Sequence, residues 1–304
     1  MKRLALFRCC VTSLRLQHYE SATNAVLGAL GVVFEDVAEF GCCGYPLKNF
    51  DLKAYVLSAA RNLALAEKKY LDIMTSCNCC YGSLKQAQKL LDEDLGLLRD
   101  INGMLSKEGL YYRGQVKVFS VLEVYHDLLS AGAIQKRLTA TYDGLKVAVH
   151  DGCHLLRPSN VVAFDHPLAP KKFDALVALT GAQSIPWAKK LECCGSPLSG
   201  VNDALAENLG RAKLDSARQA GADLVCVICP YCQIQFNWIQ DRAAQSGQTG
   251  GMLTSLYYHQ LLGLCLGIDA QRLGITAQQL QATGLQRALR SVAKAAAAET
   301  SSAA

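Results

Sequence analysis

No run of eighteen apolar residues occurs in the chain, and the nearest approach, Leu253 to Ile268, is broken by His259 and Gln260. A membrane-spanning helix is therefore not expected. Only Leu4 to Phe7 separate Met1-Lys2-Arg3 from Arg8, which is too little for the apolar centre of a secretory signal. Dense basic runs are missing as well. The net charge of +5 comes from 31 basic and 26 acidic residues, and the basic ones occur as scattered pairs such as Lys171-Lys172 and Lys189-Lys190. That pattern argues against a nucleic-acid partner. With 51% hydrophobic and 19% charged residues, wholesale disorder is excluded and a sizeable core is expected. The expected compartment is the cytoplasm.

Cysteine is what the chain has in excess. In a reducing compartment its fourteen cysteines read as metal ligands or redox groups before they read as disulfides. Ten of them form two copies of one pattern. The first is Cys10, Cys42-Cys43-Gly44 and Cys77-x-x-Cys80; the second is Cys153, Cys193-Cys194-Gly195 and Cys229-x-x-Cys232. Each copy offers five thiols. A closed structural zinc site takes four ligands, whereas soft thiolates in larger sets suit iron–sulfur clusters.

The two copies define an internal repeat. Cys42 and Cys193 are 151 residues apart, and Cys77 and Cys229 are 152 apart. The turns match too, Cys42-Cys43-Gly44-Tyr45-Pro46 against Cys193-Cys194-Gly195-Ser196-Pro197. Two duplicated domains follow, residues 1–144 and 145–290, with a low-complexity tail over 291–304 expected to be disordered.

Within each half, apolar strands alternate with helical stretches. In the first half the reading is strand Leu4 to Phe7, helix Tyr19 to Leu30, strand Val32 to Val37, helix Asp51 to Tyr70 and strand Leu71 to Thr75. In the second it is strand Lys146 to His150, helix Lys172 to Leu179, strand Gln183 to Pro186, helix Asp203 to Gln219 and strand Leu224 to Ile228. The fold class is α/β: two pseudo-symmetric repeated domains, each with a mainly parallel sheet flanked by helices. Segments 81–145 and 250–285 read as helical without clear chemistry. Cys10, Cys77, Cys153 and Cys229 each follow an expected strand, which places them at the carboxyl edge where such sheets bind ligands. Glycine and proline beside each Cys-Cys pair form a tight turn that lets both thiols face one site.

These motifs, together with Asp151-Gly152-Cys153-His154-Leu155-Leu156-Arg157-Pro158, Gly221-Ala222-Asp223 and Tyr257-Tyr258-His259-Gln260, resemble the B subunit of heterodisulfide reductase and its relatives with paired CCG domains. The resemblance implies two noncubane [4Fe-4S] clusters. One would be held by Cys10, Cys42, Cys43, Cys77 and Cys80, the other by Cys153, Cys193, Cys194, Cys229 and Cys232. It implies that the clusters flank a disulfide substrate and that iron captures each sulfur as the bond breaks. Cys9 takes the place where the family usually has glycine, so either Cys9 or Cys10 is the ligand there, and the register favours Cys10; Cys79 also fills a place often held by glycine. Cys226 and Cys265 have no motif role and read as small buried hydrophobes.

The implied activity is that of an oxidoreductase subunit interconverting a disulfide and its thiols, or oxidising a sulfur compound, on a small or lipoyl-tethered substrate. The other readings are an electron-transfer subunit linking a flavin dehydrogenase to a quinone pool, and a structural zinc protein. The chain lacks the C-x2-C-x2-C-x3-C-P run of a fused ferredoxin segment. Its electrons must therefore pass through other polypeptides, for which the resemblance implies a ferredoxin-like HdrC-type subunit and a flavin-containing HdrA-type subunit. His154, beside a proposed ligand, could give a proton to a departing thiolate or serve as a structural hydrogen bonder. Arg157 could attract an anionic substrate or form a structural contact. His150, on an expected strand, reads as core.

Overall fold

Short apolar segments build two matching sheets. The computed structural model describes residues 3–245, 247 and 253–291. The first sheet contains β1 (Leu4–Leu6), β2 (Phe34–Glu35), β3 (Asp72–Thr75) and β4 (Val118–Ser120) in the order β2-β1-β3-β4. After β5 (Ala140–Tyr142) comes the second sheet, made of β6 (Lys146–His150), β7 (Gln183–Ser184), β8 (Leu224–Val227) and β9 (Ser255–Tyr257) in the order β7-β6-β8-β9. Every pairing in both sheets is parallel. The inner strands β3 and β8 are buried along their whole length, as expected for parallel strands covered by helices on both faces.

The repeat extends to single residues. Leu6 pairs with Met74 in the first ladder and Val149 with Cys226 in the second. Phe7 and His150 therefore occupy one equivalent position. The helices Leu52–Lys68 and Asp203–Gln219 are both 17 residues long. Each begins under a side-chain cap, Asp51 accepting from Ala54 N and Asn202 from Leu205 N, which satisfies an otherwise unpaired donor of the first turn. Asn62 and Lys213 are equivalent positions of these two helices.

The halves meet through the helix Asn78–Glu93, which packs on Cys153–Leu156 and Ser159–Val162. Hydrogen bonds cross the seam: Asn78 Nδ2 donates to the Asp151 carbonyl at 2.7 Å, the Tyr81 hydroxyl to Val162 at 2.8 Å and the Tyr257 hydroxyl to Ser76 at 3.1 Å.

Three expectations are corrected. The strands expected over Val32 to Val37 and Gln183 to Pro186 shrink to Phe34–Glu35 and Gln183–Ser184, because β2 and β7 are edge strands each paired over two residues. Segments 81–145 and 250–285 are not wholly helical, since β4 and β9 extend each sheet by one strand. Ser291, read as the start of the tail, is the last residue of β10 (Leu289–Ser291), which pairs antiparallel with β5; the rest of the expected tail lies outside the described residues. No described helix is long and apolar enough to cross a membrane.

Candidate metal centre

The thiols reach the seam because each cysteine motif follows a strand end or a glycine turn. Cys10 and Cys153 open short helices after β1 and β6. Cys77 caps the helix after β3, and Cys229 precedes the helix Pro230–Gln245 after β8. Parallel strands put all four at the same sheet edge. Gly44 and Gly195 both adopt left-handed backbone, with φ of 82° and 90°. A Cβ on Gly44 would lie 2.6 Å from the Tyr55 carbonyl oxygen, and one on Gly195 would lie 2.3 Å from that of Ala206. Only glycine lets the Cys-Cys turn approach the following helix this closely. The turns then point backbone N–H groups at sulfur, Gly44 N to Cys42 Sγ at 3.4 Å and Gly195 N to Cys193 Sγ at 3.3 Å.

Within this edge, three sets of ligand atoms lie within 4.8 Å of one another: Cys9, Cys77 and Cys80; Cys77, Cys79 and Cys229; and His150, Cys194 and Cys232. The middle set spans both halves, so the two thiol quintets touch. Cys42 hydrogen-bonds Cys10 and Cys43, and Cys193 hydrogen-bonds Cys153 and Cys194. Each of the ten motif cysteines thus has a thiol partner in its own half. Cys9 is buried against Cys77 and Cys80, whereas Cys10 is exposed and bonded to Cys42. Both therefore border the first site. Cys79, which sequence reasoning left without a role, lies between the quintets.

Hydrogen bonds from Cys10 and then Cys43 pull the Cys42 thiol down to about 2 against the opposing effect of burial. Those from Cys153 and Cys194 do the same for Cys193, also to about 2. Each Cys-Cys pair thereby contains a thiol disposed to ionise, as a metal ligand must. All fourteen cysteines are free thiols. Many soft donors converging at buried positions fit iron–sulfur clusters.

Beside the thiols lies a cavity of about 210 Å³. Three equivalent pairs from the two halves line it, Tyr45 and Ser196, Pro46 and Pro197, Cys79 and Tyr231, and the motif cysteines in its wall, Cys153, Cys194, Cys229 and Cys232, all belong to the second quintet. No lysine, arginine or carboxylate is among the described residues that line it.

The structure separates the two polar candidates. His154 lines the cavity, with Nδ1 3.5 Å from Cys79 Sγ and 3.8 Å from Cys153 Sγ, and packs edge-on to Tyr45. Burial lowers its pKa. Arg157 is not part of the lining; its guanidinium donates to the carbonyls of Leu191 and Pro167. His150 is core, as read, yet its Nε2 lies 3.3 Å from Cys232 Sγ. Cys226 and Cys265 are fully buried and belong to none of the three ligand sets. Lys213, only 1% exposed, was missed altogether. Its ammonium donates to the carbonyls of Lys189, Lys190 and Glu192, just before the second Cys-Cys pair. Finding it in the sequence would have required aligning it with Asn62.

The cysteine-rich domain family, CCG, matches residues 4–85 and 147–237. The chain is 36% identical over 285 residues to the B subunit of the ferredoxin/F420H2-dependent CoB-CoM heterodisulfide reductase of Methanosarcina acetivorans, covering 92% of this chain and 95% of that one. It is 32% identical to the 8-methylmenaquinol:fumarate reductase membrane anchor subunit of Wolinella succinogenes, covering 93% and 99%. A hypothetical protein from Helicobacter pylori shares the fold, with a TM-score of 0.71 at 18% identity over 90% of this chain and 51% of that one. With both halves matched and this identity sustained along its length, the chain belongs to the paired CCG-domain family of heterodisulfide reductase B subunits and their relatives.

Proposed function

We propose that this chain is the catalytic iron–sulfur subunit of a heterodisulfide reductase-like complex and interconverts a disulfide with its two thiols. The observation that carries this reading is the cavity lined by residues of both halves, with four cysteines of the second quintet in its wall, beside the contact of Cys77 with Cys229 where the two quintets touch. A disulfide seated there meets both halves at once. In this reading Cys10, Cys42, Cys43, Cys77 and Cys80 hold one noncubane [4Fe-4S] cluster, and Cys153, Cys193, Cys194, Cys229 and Cys232 hold the other. When bound, such clusters supply single electrons and thiophilic iron.

The chain's own residues do the rest. Breaking an S–S bond takes two electrons and leaves two thiolates. Tyr45, Pro46, Pro197 and Tyr231 form an apolar wall that excludes water and orients the sulfur-bearing end of the substrate. His154 holds a ring nitrogen at the cavity where a departing thiolate takes up its proton. Because the described lining carries no fixed charge, ionic groups of the substrate extend outside. Small disulfides and a lipoyl arm both meet this requirement. Electrons enter or leave through partner subunits of the HdrC and HdrA types, and the direction follows from which partner is bound.

The test is spectroscopic. A reconstituted protein is expected to hold about eight irons, four per cluster. Added disulfide or thiol should perturb its paramagnetic spectrum, and Cys193→Ala should abolish disulfide turnover. Full turnover by iron-free protein would end the proposal. A second reading, electron transfer between a flavin dehydrogenase and quinol, is favoured by the identity to the Wolinella succinogenes protein. It requires clusters whose spectrum ignores disulfides and thiols.

A further inference from the structure

The two quintets have the same scaffold but different surroundings. At the position one step beyond the paired strand residues, the first half has Phe7 and the second His150. Phe7 packs against Phe40 and offers sulfur nothing. His150, 2% exposed, points Nε2 at Cys232 Sγ at 3.3 Å. In the helix that supports each Cys-Cys turn, the first half has Asn62 and the second Lys213. Asn62 does its work as a neutral amide, accepting from Gly41 N at 2.8 Å and donating to the Cys42 carbonyl at 2.9 Å. Lys213 does the equivalent work with a cation. Its three carbonyl acceptors occupy all three N–H bonds of an ammonium group, and the group is stacked over Trp187 at 4.6 Å, away from water.

The other charges beside the thiols are paired. Arg8 pairs with Asp36 and Glu20 in the first half. Lys190 pairs with Asp174 and Asp151 in the second. Arg8 and Asp151 hold the same place in the two halves, a cation beside Cys10 and Cys42 in the first and a buried carboxylate in the second; Arg8 is answered by two carboxylates and Asp151 by Lys190 at 3.6 Å. Lys48 is partly exposed and hydrogen-bonded to Gln86, where solvent screens it.

Building on the cluster assignment proposed above, we infer that His150 and Lys213 are positioning residues that give the C-terminal cluster the higher reduction potential, so that the first electron from a one-electron donor rests in the C-terminal half. In the tautomer with the proton on Nε2, His150 donates to the Cys232 sulfur, and a donated hydrogen bond and a nearby buried cation both stabilise the added negative charge of a reduced cluster. In these two places the first half has Phe7 and the uncharged Asn62.

The experiment is a redox titration of the iron-loaded full chain followed by electron paramagnetic resonance. The wild type should give two separate one-electron waves. Lys213→Gln keeps a hydrogen-bonding head without the charge, and His150→Phe copies the first half. Each should lower the upper wave and leave the lower one in place. The expected change is about tenfold in the reduced-to-oxidised ratio at a fixed potential, or 59 mV for one electron. Lys213→Arg should restore the upper wave. His150→Phe supplies an independent reading should the Lys213 variants fail to fold. Iron-loaded variants with both waves unmoved, or with only the lower wave shifted, overturn this inference alone. A wild-type chain that takes up no iron overturns the cluster assignment, and this inference with it.

Discussion

Gly195→Ala is the sharpest test of how the second Cys-Cys turn is held. At φ 90° an alanine meets the torsional penalty of left-handed backbone, about 1–2 kcal/mol. Its Cβ would also lie 2.3 Å from the oxygen, 3.1 Å from the carbonyl carbon and 3.2 Å from the Cα of Ala206. All three are backbone atoms of the helix Asp203–Gln219, so no side chain can swing aside, and overpacking of this kind adds about 1–3 kcal/mol. The sum, about 2–5 kcal/mol, is a large part of the about 5–15 kcal/mol that stabilises a typical folded protein. Gly200→Ala is the control. It has a similar φ of 82° with nothing within 4 Å of a Cβ, so it meets only the torsional penalty. Urea unfolding of both variants beside wild type measures the difference, and iron per chain reports the turn. Gly195→Ala should unfold earlier than Gly200→Ala and hold less iron. Variants that agree within about 0.5 kcal/mol, with equal iron, would refute the steric argument.

Other outcomes follow from single contacts. Burial pushes His259 down to about 3, whereas the same group in an unfolded chain titrates near 6.5. Its contribution to stability is thus complete above pH 6.5 and is lost on acidification, by up to about 1.4 kcal/mol per pH unit down to about pH 3. His259→Phe should remove that slope from urea midpoints measured between pH 7 and 5, and identical slopes in both proteins would refute the claim. His154→Gln should slow disulfide turnover about a hundredfold with iron unchanged, while Arg157→Ala should leave the turnover rate within about threefold, because its guanidinium serves two carbonyls outside the cavity. Stopped-flow reduction of the bound disulfide reads both. Tyr257→Phe removes the hydroxyl bonded across the seam to Ser76 and should cost about 1 kcal/mol in the same unfolding assay; no loss would mean the contact is idle.

What the sequence displayed best was whatever local pattern determines. Strand Lys146–His150 and helices Lys172–Leu179 and Asp203–Gln219 fall on the expected residues, since the strand is a short apolar run and each helix is stopped by a glycine in left-handed backbone, Gly181 and Gly221. β4 and β9 escaped notice because three residues carry no period of their own, and their strand form comes from pairing with β3 and β8. At the site, the motif cysteines were legible from spacing. The neighbours that distinguish one half from the other were not. His150 looks like any strand residue and Lys213 like any helix residue until the fold buries them beside sulfur.

The contact between Cys77 and Cys229 also bears on biogenesis. Under the proposed assignment the two thiol sets share this contact, so metal held by one set fixes the position of a thiol beside the other. Maturation of this chain should therefore be close to all-or-none, yielding fully loaded and empty molecules rather than half-loaded ones.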